Sequence, residues 1–138
     1  MHIHTTIVAA VASLSITGTG LGQVSFEFTD SGSALGNSYS YSVALGDLDG
    51  DGDLDAMVGN DGQPNTVWLG DGSGTFTDSG SALGNSGSTS VALGDLDGDG
   101  DLDAMVANQN QPNTVWLGDG TGTFTDSGSA LGNSNSIS

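Results

Sequence analysis

Residues 43–70 read VALGDLDGDGDLDAMVGNDGQPNTVWLG, and residues 91–118 read VALGDLDGDGDLDAMVANQNQPNTVWLG, an offset of 48 positions. The segment FTDSGSALGNS keeps that offset, starting at Phe28, Phe76 and Phe124. Laying residues 28–75 on 76–123 leaves six differences in 48 positions: Tyr39/Gly87, Tyr41/Thr89, Gly59/Ala107, Asp61/Gln109, Gly62/Asn110 and Ser73/Thr121. Such self-similarity marks a repeat architecture, in which one unit cannot bury its apolar face alone and stacks on the next. Within a copy, short apolar runs are cut by turn chemistry. Ser42–Leu45, Leu54–Gly59, Asn65–Leu69 and Thr75–Asp78 read as strands. Asn60-Asp61-Gly62-Gln63-Pro64 and Gly70-Asp71-Gly72-Ser73-Gly74 are the turns that part the last three. In the second strand Leu54, Ala56 and Val58 alternate with Met57; in the third, Val67 and Leu69 lie opposite Trp68. Outside the N-terminus no window keeps a helical period over about ten residues. Four strands in 48 residues is the size of a β-propeller blade. The expected fold is all-β: tandem four-stranded antiparallel blades of β-propeller type, an incomplete propeller of two full repeats plus a half. Trp68 and Trp116 recur once per unit and are expected between blades, as core, rather than as a sugar platform.

Between the first two strands lies Asp47-Leu48-Asp49-Gly50-Asp51-Gly52-Asp53-Leu54-Asp55, and residues 95–103 repeat it residue for residue. The pattern is D-x-D-x-D-G-x-x-D. A hard cation such as calcium takes roughly six to eight oxygen ligands. Side chains at positions 1, 3 and 5 of a tightly turning loop converge on one point, and glycine at position 6 permits the turn. Position 7 offers its carbonyl, and position 9 closes the shell. This makes Asp47, Asp49, Asp51 and Asp55 carboxylate ligands, with Asp53 contributing its backbone. A register starting at Asp49 would put Leu54 where the glycine is needed. A helical EF-hand would need a bidentate Glu at position 12; Val58 and Val106 stand there, inside a strand. Magnesium prefers to keep several waters, and zinc would draw on His or Cys. A solvated acidic turn without an ion is disfavoured, because four clustered carboxylates make six mutually repelling pairs.

Composition narrows the partners. The 138 residues hold no Lys, no Arg and 17 acidic residues, for a formal charge of −17. Nothing beyond His2 and His4 can neutralise a phosphate, so nucleic acid and anionic membrane surfaces are excluded as partners. Ten of the 17 carboxylates fall in the two nine-residue loops, which is not the dispersed acidity of a disordered chain. Without cysteine there is neither a disulfide framework nor a thiolate metal site. There is no Ser-His-Asp set, no phosphate loop and no acid/base pair away from the acidic loops, so no enzyme is expected. The charge must be answered by cations from outside.

A D-x-D-x-D-G-x-x-D loop entering a strand and followed by V-W-L-G-D-G-x-G-T-F resembles the FG-GAP/VCBS family of integrin-like β-propeller repeats. The resemblance runs from Ser25 to the C-terminus, with loop, strand and glycine hairpin in order, twice. It implies blades that bind calcium in their outer hairpins, in secreted or cell-surface proteins used for adhesion or scaffolding. Carried over by position, the metal ligands are Asp47, Asp49, Asp51, Asp53 and Asp55, then Asp95, Asp97, Asp99, Asp101 and Asp103. One Ca2+ per full repeat, two in all, is expected. The departure lies in number: family propellers close with about seven blades, and this chain has two and a half.

Residues 1–22 read either as a secretory signal, with the apolar run Ile7–Ile16, or as an N-terminal strand. That run is too short to span a membrane. Residues 23–42 are a partial repeat, 43–90 the first repeat, and 91–138 the second, ending in a half-unit. Since Ser138 stands where the next Val would begin, the chain is expected either to be part of a longer array or to be completed by neighbours. The function expected is a non-catalytic calcium-binding extracellular or cell-surface repeat protein, structural or adhesive, assembling head to tail into a ring or filament. The alternative is an accessory glycan- or protein-binding module of a larger secreted propeller protein or enzyme, using the variable positions Tyr39, Tyr41, Asp61 and Gly62.

Overall fold

Each copy of the repeat folds into one four-stranded antiparallel sheet. The first holds β1 (Ser40–Gly46), β2 (Asp55–Asn60), β3 (Asn65–Gly70) and β4 (Phe76–Leu83); the second holds β5 (Ser88–Gly94), β6 (Asp103–Asn108), β7 (Asn113–Gly118) and β8 (Phe124–Leu131). In both, spatial order follows chain order, because each turn is short enough to set consecutive strands side by side. The computed structural model describes residues 29–132. The chain divides into two units, residues 1–32 and 33–138. Of the first, residues 29–32 are described; they form no strand, and the Gly32 N–H donates to the Asp30 carboxylate at 2.9 Å. The signal or strand reading of residues 1–22 and the His2-x-His4 pair lie outside the described residues, as does the end at Ser138.

Register assigns the faces. Met57 pairs with Ala44 on one side and Val67 on the other, so these three share a face of the first sheet. Val43 and Val58 share the opposite face. In the second sheet Val91 pairs with Val106, and Ala104 with Trp116. The core forms where the Met57 face of the first sheet meets the Val106 face of the second. Contact between sheets runs mainly through β1, β2 and β5, and β4 barely reaches β8. The sheets therefore converge at one edge and splay at the other, as β-propeller blades do, and they do not close a ring. The all-β, tandem-blade architecture expected from the sequence is the one observed.

Three local expectations change. β2 begins at Asp55, leaving Leu54 exposed, and all six of its residues are buried, so the alternation read there does not divide inside from outside. β2 lies interior to the sheet, between β1 and β3, and its Met57 face packs on the second blade. The fourth strand runs past Asp78 to Leu83 because Gly80, at φ +79°, sits in a bulge, a shift in register between Thr66 and Trp68, instead of ending the strand. Finally, Trp116 packs on the core between blades, whereas Trp68 takes the equivalent place on the outer face of the first blade, against Gly36.

Candidate metal centre

The β1–β2 and β5–β6 connections are the two acidic loops, and their own carboxylates hold their shape. Asp47 accepts from the backbone N–H of Gly50 at 2.8 Å and of Gly52 at 3.1 Å; Asp49 accepts from Asp51 N–H at 3.1 Å, and Asp51 from Asp53 N–H at 2.8 Å. The second loop repeats every bond, from Asp95 to Gly98 and Gly100, from Asp97 to Asp99, and from Asp99 to Asp101. Gly52 and Gly100 take φ of +93° and +101°, which is the left-handed turn that position 6 of the motif requires.

Position 9 is the anchor. Asp55 is fully buried, and its two oxygens accept from Leu48 N–H at 2.7 Å and Gly70 N–H at 2.8 Å, tying the loop to the end of β3. Asp103 makes the same bonds to Leu96 and Gly118, at 2.7 and 2.9 Å. Asp53 and Asp101 turn elsewhere. A Cβ added to Gly72 would stand 2.5 Å from the Asp53 carboxylate, and one added to Gly120 would stand 2.6 Å from Asp101, so both acids pack on the glycine hairpins.

Carboxylate oxygens of Asp47, Asp49 and Asp55 all lie within 4.8 Å of one another in the first loop, and those of Asp95, Asp97 and Asp99 do so in the second. Of the sequence candidates, the structure thus brings together positions 1, 3 and 9 in one copy and 1, 3 and 5 in the other. Asp51 and Asp103 lie outside these sets, as do the position-7 acids Asp53 and Asp101. The electrostatics follow. Removal from water, then the like charges of Asp55, Asp51 and Asp47, push the Asp49 carboxyl above its ordinary value against the lowering effect of the Asp51 N–H. Asp97 is raised likewise, by desolvation and then by Asp99, Asp103 and Asp95. In the glycine hairpins the direction reverses. The Ser73 hydroxyl and N–H hold Asp71 below the usual carboxylate range, and Thr121 does the same for Asp119.

The loops differ in their surroundings. Leu48 is buried in the core and its carbonyl accepts from Gly122 N–H of the second blade at 2.8 Å, whereas Leu96 is exposed. Sequence reading missed this clamp. The available signal was an apolar residue recurring at position 2 of an otherwise acidic loop.

Two overlapping segments, residues 47–106 and 95–138, match the family model described as the FG-GAP-like repeat, and together they span 47–138 of the 138 residues. The chain belongs to the FG-GAP-like repeat family. No curated protein matches the chain. FG-GAP-like repeats suggest a β-propeller-like module, typically non-enzymatic and extracellular, and they often bind calcium. The donor set here fits that ion: hard carboxylate oxygens, clustered once per repeat, in a chain without Lys or Arg to balance them. No helix among the described residues is long and apolar enough to cross a membrane.

Proposed function

We propose that this FG-GAP-like protein is a non-catalytic, calcium-binding extracellular module with a structural or adhesive role, taking one Ca2+ per full repeat. The observation that carries this reading is the pair of carboxylate clusters set 48 residues apart, each on a rigid hairpin that strands fix on both sides. Asp47, Asp49, Asp51 and Asp55 would hold one ion and Asp95, Asp97, Asp99 and Asp103 the other, with the carbonyls of Asp53 and Asp101 beside them. A bound divalent ion neutralises charge that raises the Asp49 and Asp97 carboxyls. What the chain supplies is positioning. Backbone N–H groups hold Asp47 and Asp95, and the buried Asp55 and Asp103 join each loop to its sheet. Isothermal titration tests the reading: calcium should bind with a stoichiometry of two, and Asp49→Asn should leave one site. A titration without heat, or with a stoichiometry unchanged by Asp49→Asn and Asp97→Asn together, would overturn it.

A further inference from the structure

The seam between the blades joins two different faces of the same repeat. One side presents Ala44, Met57, Val67 and Leu69; the other presents Val91, Leu93, Ala104 and Val106. Shifted by one repeat, residues of these same two faces are exposed among the described residues. Val43 is 60% exposed where its counterpart Val91 is 8%, and Met105 is 39% where Met57 is 0%. Leu96 is 49% exposed against 3% for Leu48, and Leu131 is 43% against 3% for Leu83. The residues are identical, and what differs is the neighbouring blade.

We propose that these exposed faces pair between chains: a second copy docks head to tail, its Val43–Leu45 face on the Met105 face of the first, and the row of blades continues across molecules. This names the partner of the structural module proposed above, and it rests on that module's blade packing, not on the ion. Polar contacts of the internal seam have counterparts ready at the ends. Val91 N–H donates to Ser42 Oγ at 3.1 Å, which places Ser90 against the second copy's Val43. Gly122 N–H on the Leu48 carbonyl places the second copy's Gly74 on Leu96.

The entry into β1 makes on the first blade the contacts that the end of β4 makes on the second. Gly36 lies on the Trp68 ring as Gly84 lies on Trp116, and Ser33 Oγ donates to the Gly74 carbonyl as Ser81 Oγ does to Gly122. Residues 29–35 read TDSGSAL and form no strand; residues 125–131 read TDSGSAL and belong to β8. The second blade of one copy therefore supplies in a formed strand the sequence that precedes β1 in the other.

The differences between copies fall on this seam. A Cβ at Gly59 would meet the Val91 side chain at 2.9 Å, Asp61 bridges Gly87, and Gly62 N–H donates to the Ser86 carbonyl. Four of the six differences (59/107, 61/109, 62/110 and 39/87) thus lie at the inner seam or at its counterpart between chains. The same shift sets Tyr39 opposite Gln109 at the outer seam, where Ala107 carries the Cβ that Gly59 lacks, so the second copy's Val43 side chain must turn aside to admit it. Exchanging Asp61 for Gln109 removes an acid from the contact between two chains that each carry −17.

Cross-linking tests this directly, because the chain has no cysteine. Val43→Cys/Ser90→Cys should oxidise in millimolar calcium to a ladder of dimers, trimers and longer species. Ser42→Cys/Val91→Cys, across the internal seam, should close within the monomer. Val43→Asp should weaken association in sedimentation velocity by about a hundredfold, the cost of an unpaired charge in an apolar contact, with the circular dichroism spectrum unchanged. A Val43→Cys/Ser90→Cys product that stays monomeric or stops at dimer, while Ser42→Cys/Val91→Cys closes, overturns head-to-tail docking and leaves the calcium module standing. Failure of both pairs overturns the blade packing itself.

Discussion

Leu48 and Leu96 occupy the same position of identical nine-residue loops, so substituting each by alanine isolates the contribution of blade packing. Leu48 is 3% exposed, lies in the core cluster with Met57 and Phe124, and is held by Gly122 of the second blade. Truncating a buried leucine costs about 2–5 kcal/mol, through lost transfer energy and the cavity left behind. Leu96 is exposed, and an exposed substitution lies within about 0.5 kcal/mol of neutral. The assay is a thermal scan in millimolar calcium, at dilution where the chain is monomeric. Leu48→Ala should lower the midpoint of a thermal scan by about 10 °C or more, and Leu96→Ala should leave it within a few degrees. Equal losses from both variants, or less than about 1 kcal/mol from Leu48→Ala, would refute the assignment of Leu48 to the core between blades. At concentrations that favour assembly the Leu96 variant should instead weaken association, because docking would bury it.

Asp71→Ala should leave two calcium ions bound, since Asp71 holds the hairpin through Ser73 and lies outside the acidic cluster; a titration calorimeter would show it. Ser73→Ala should raise the Asp71 pKa toward the ordinary carboxylate value in an NMR titration, because the hydroxyl is the foremost of the groups that depress it. A depressed carboxyl contributes stability that is present above its unfolded pKa and lost as pH falls through the folded value. Chelated protein should therefore lose the Asp71 and Asp119 contributions only below the usual carboxylate range. Asp49 and Asp97 work in the opposite sense: their ionisation costs stability, and acidification through their raised pKa relieves that cost. Gly72→Ala should destabilise by more than about 1 kcal/mol in urea unfolding, from φ +70° and the Asp53 carboxylate 2.5 Å from the new Cβ, and by more than Gly80→Ala, where nothing stands within 4 Å.

The blades were legible because the 48-residue offset and the Gly-Asp turns are local signals, and the strand order follows from connections too short for a crossover. The acidic loops were legible for a similar reason, since their spacing is a local signal, though the structure gathers positions 1, 3 and 9 in one copy and 1, 3 and 5 in the other. What sequence could not show depends on neighbours. Leu48 and Leu96 share one sequence context and differ only in what covers them. β4 passes through Gly80 because pairing with Thr66 and Asn65 outweighs the breaker, a tertiary effect that turn chemistry does not record. The buried bonds from Asp55 to Leu48 and Gly70 join the loop to a residue 15 positions away, which the motif alone does not specify.

Differential scanning calorimetry in excess chelator and in millimolar calcium tests the central claim that divalent ions answer the charge of the two acidic loops. Binding to the native state alone should stabilise by about 2.7 kcal/mol per site at a hundredfold excess over Kd. Tm should rise clearly with calcium, by roughly half as much in Asp49→Asn and not at all when Asp97→Asn is added. A melting curve that is the same in chelator and in calcium would contradict it.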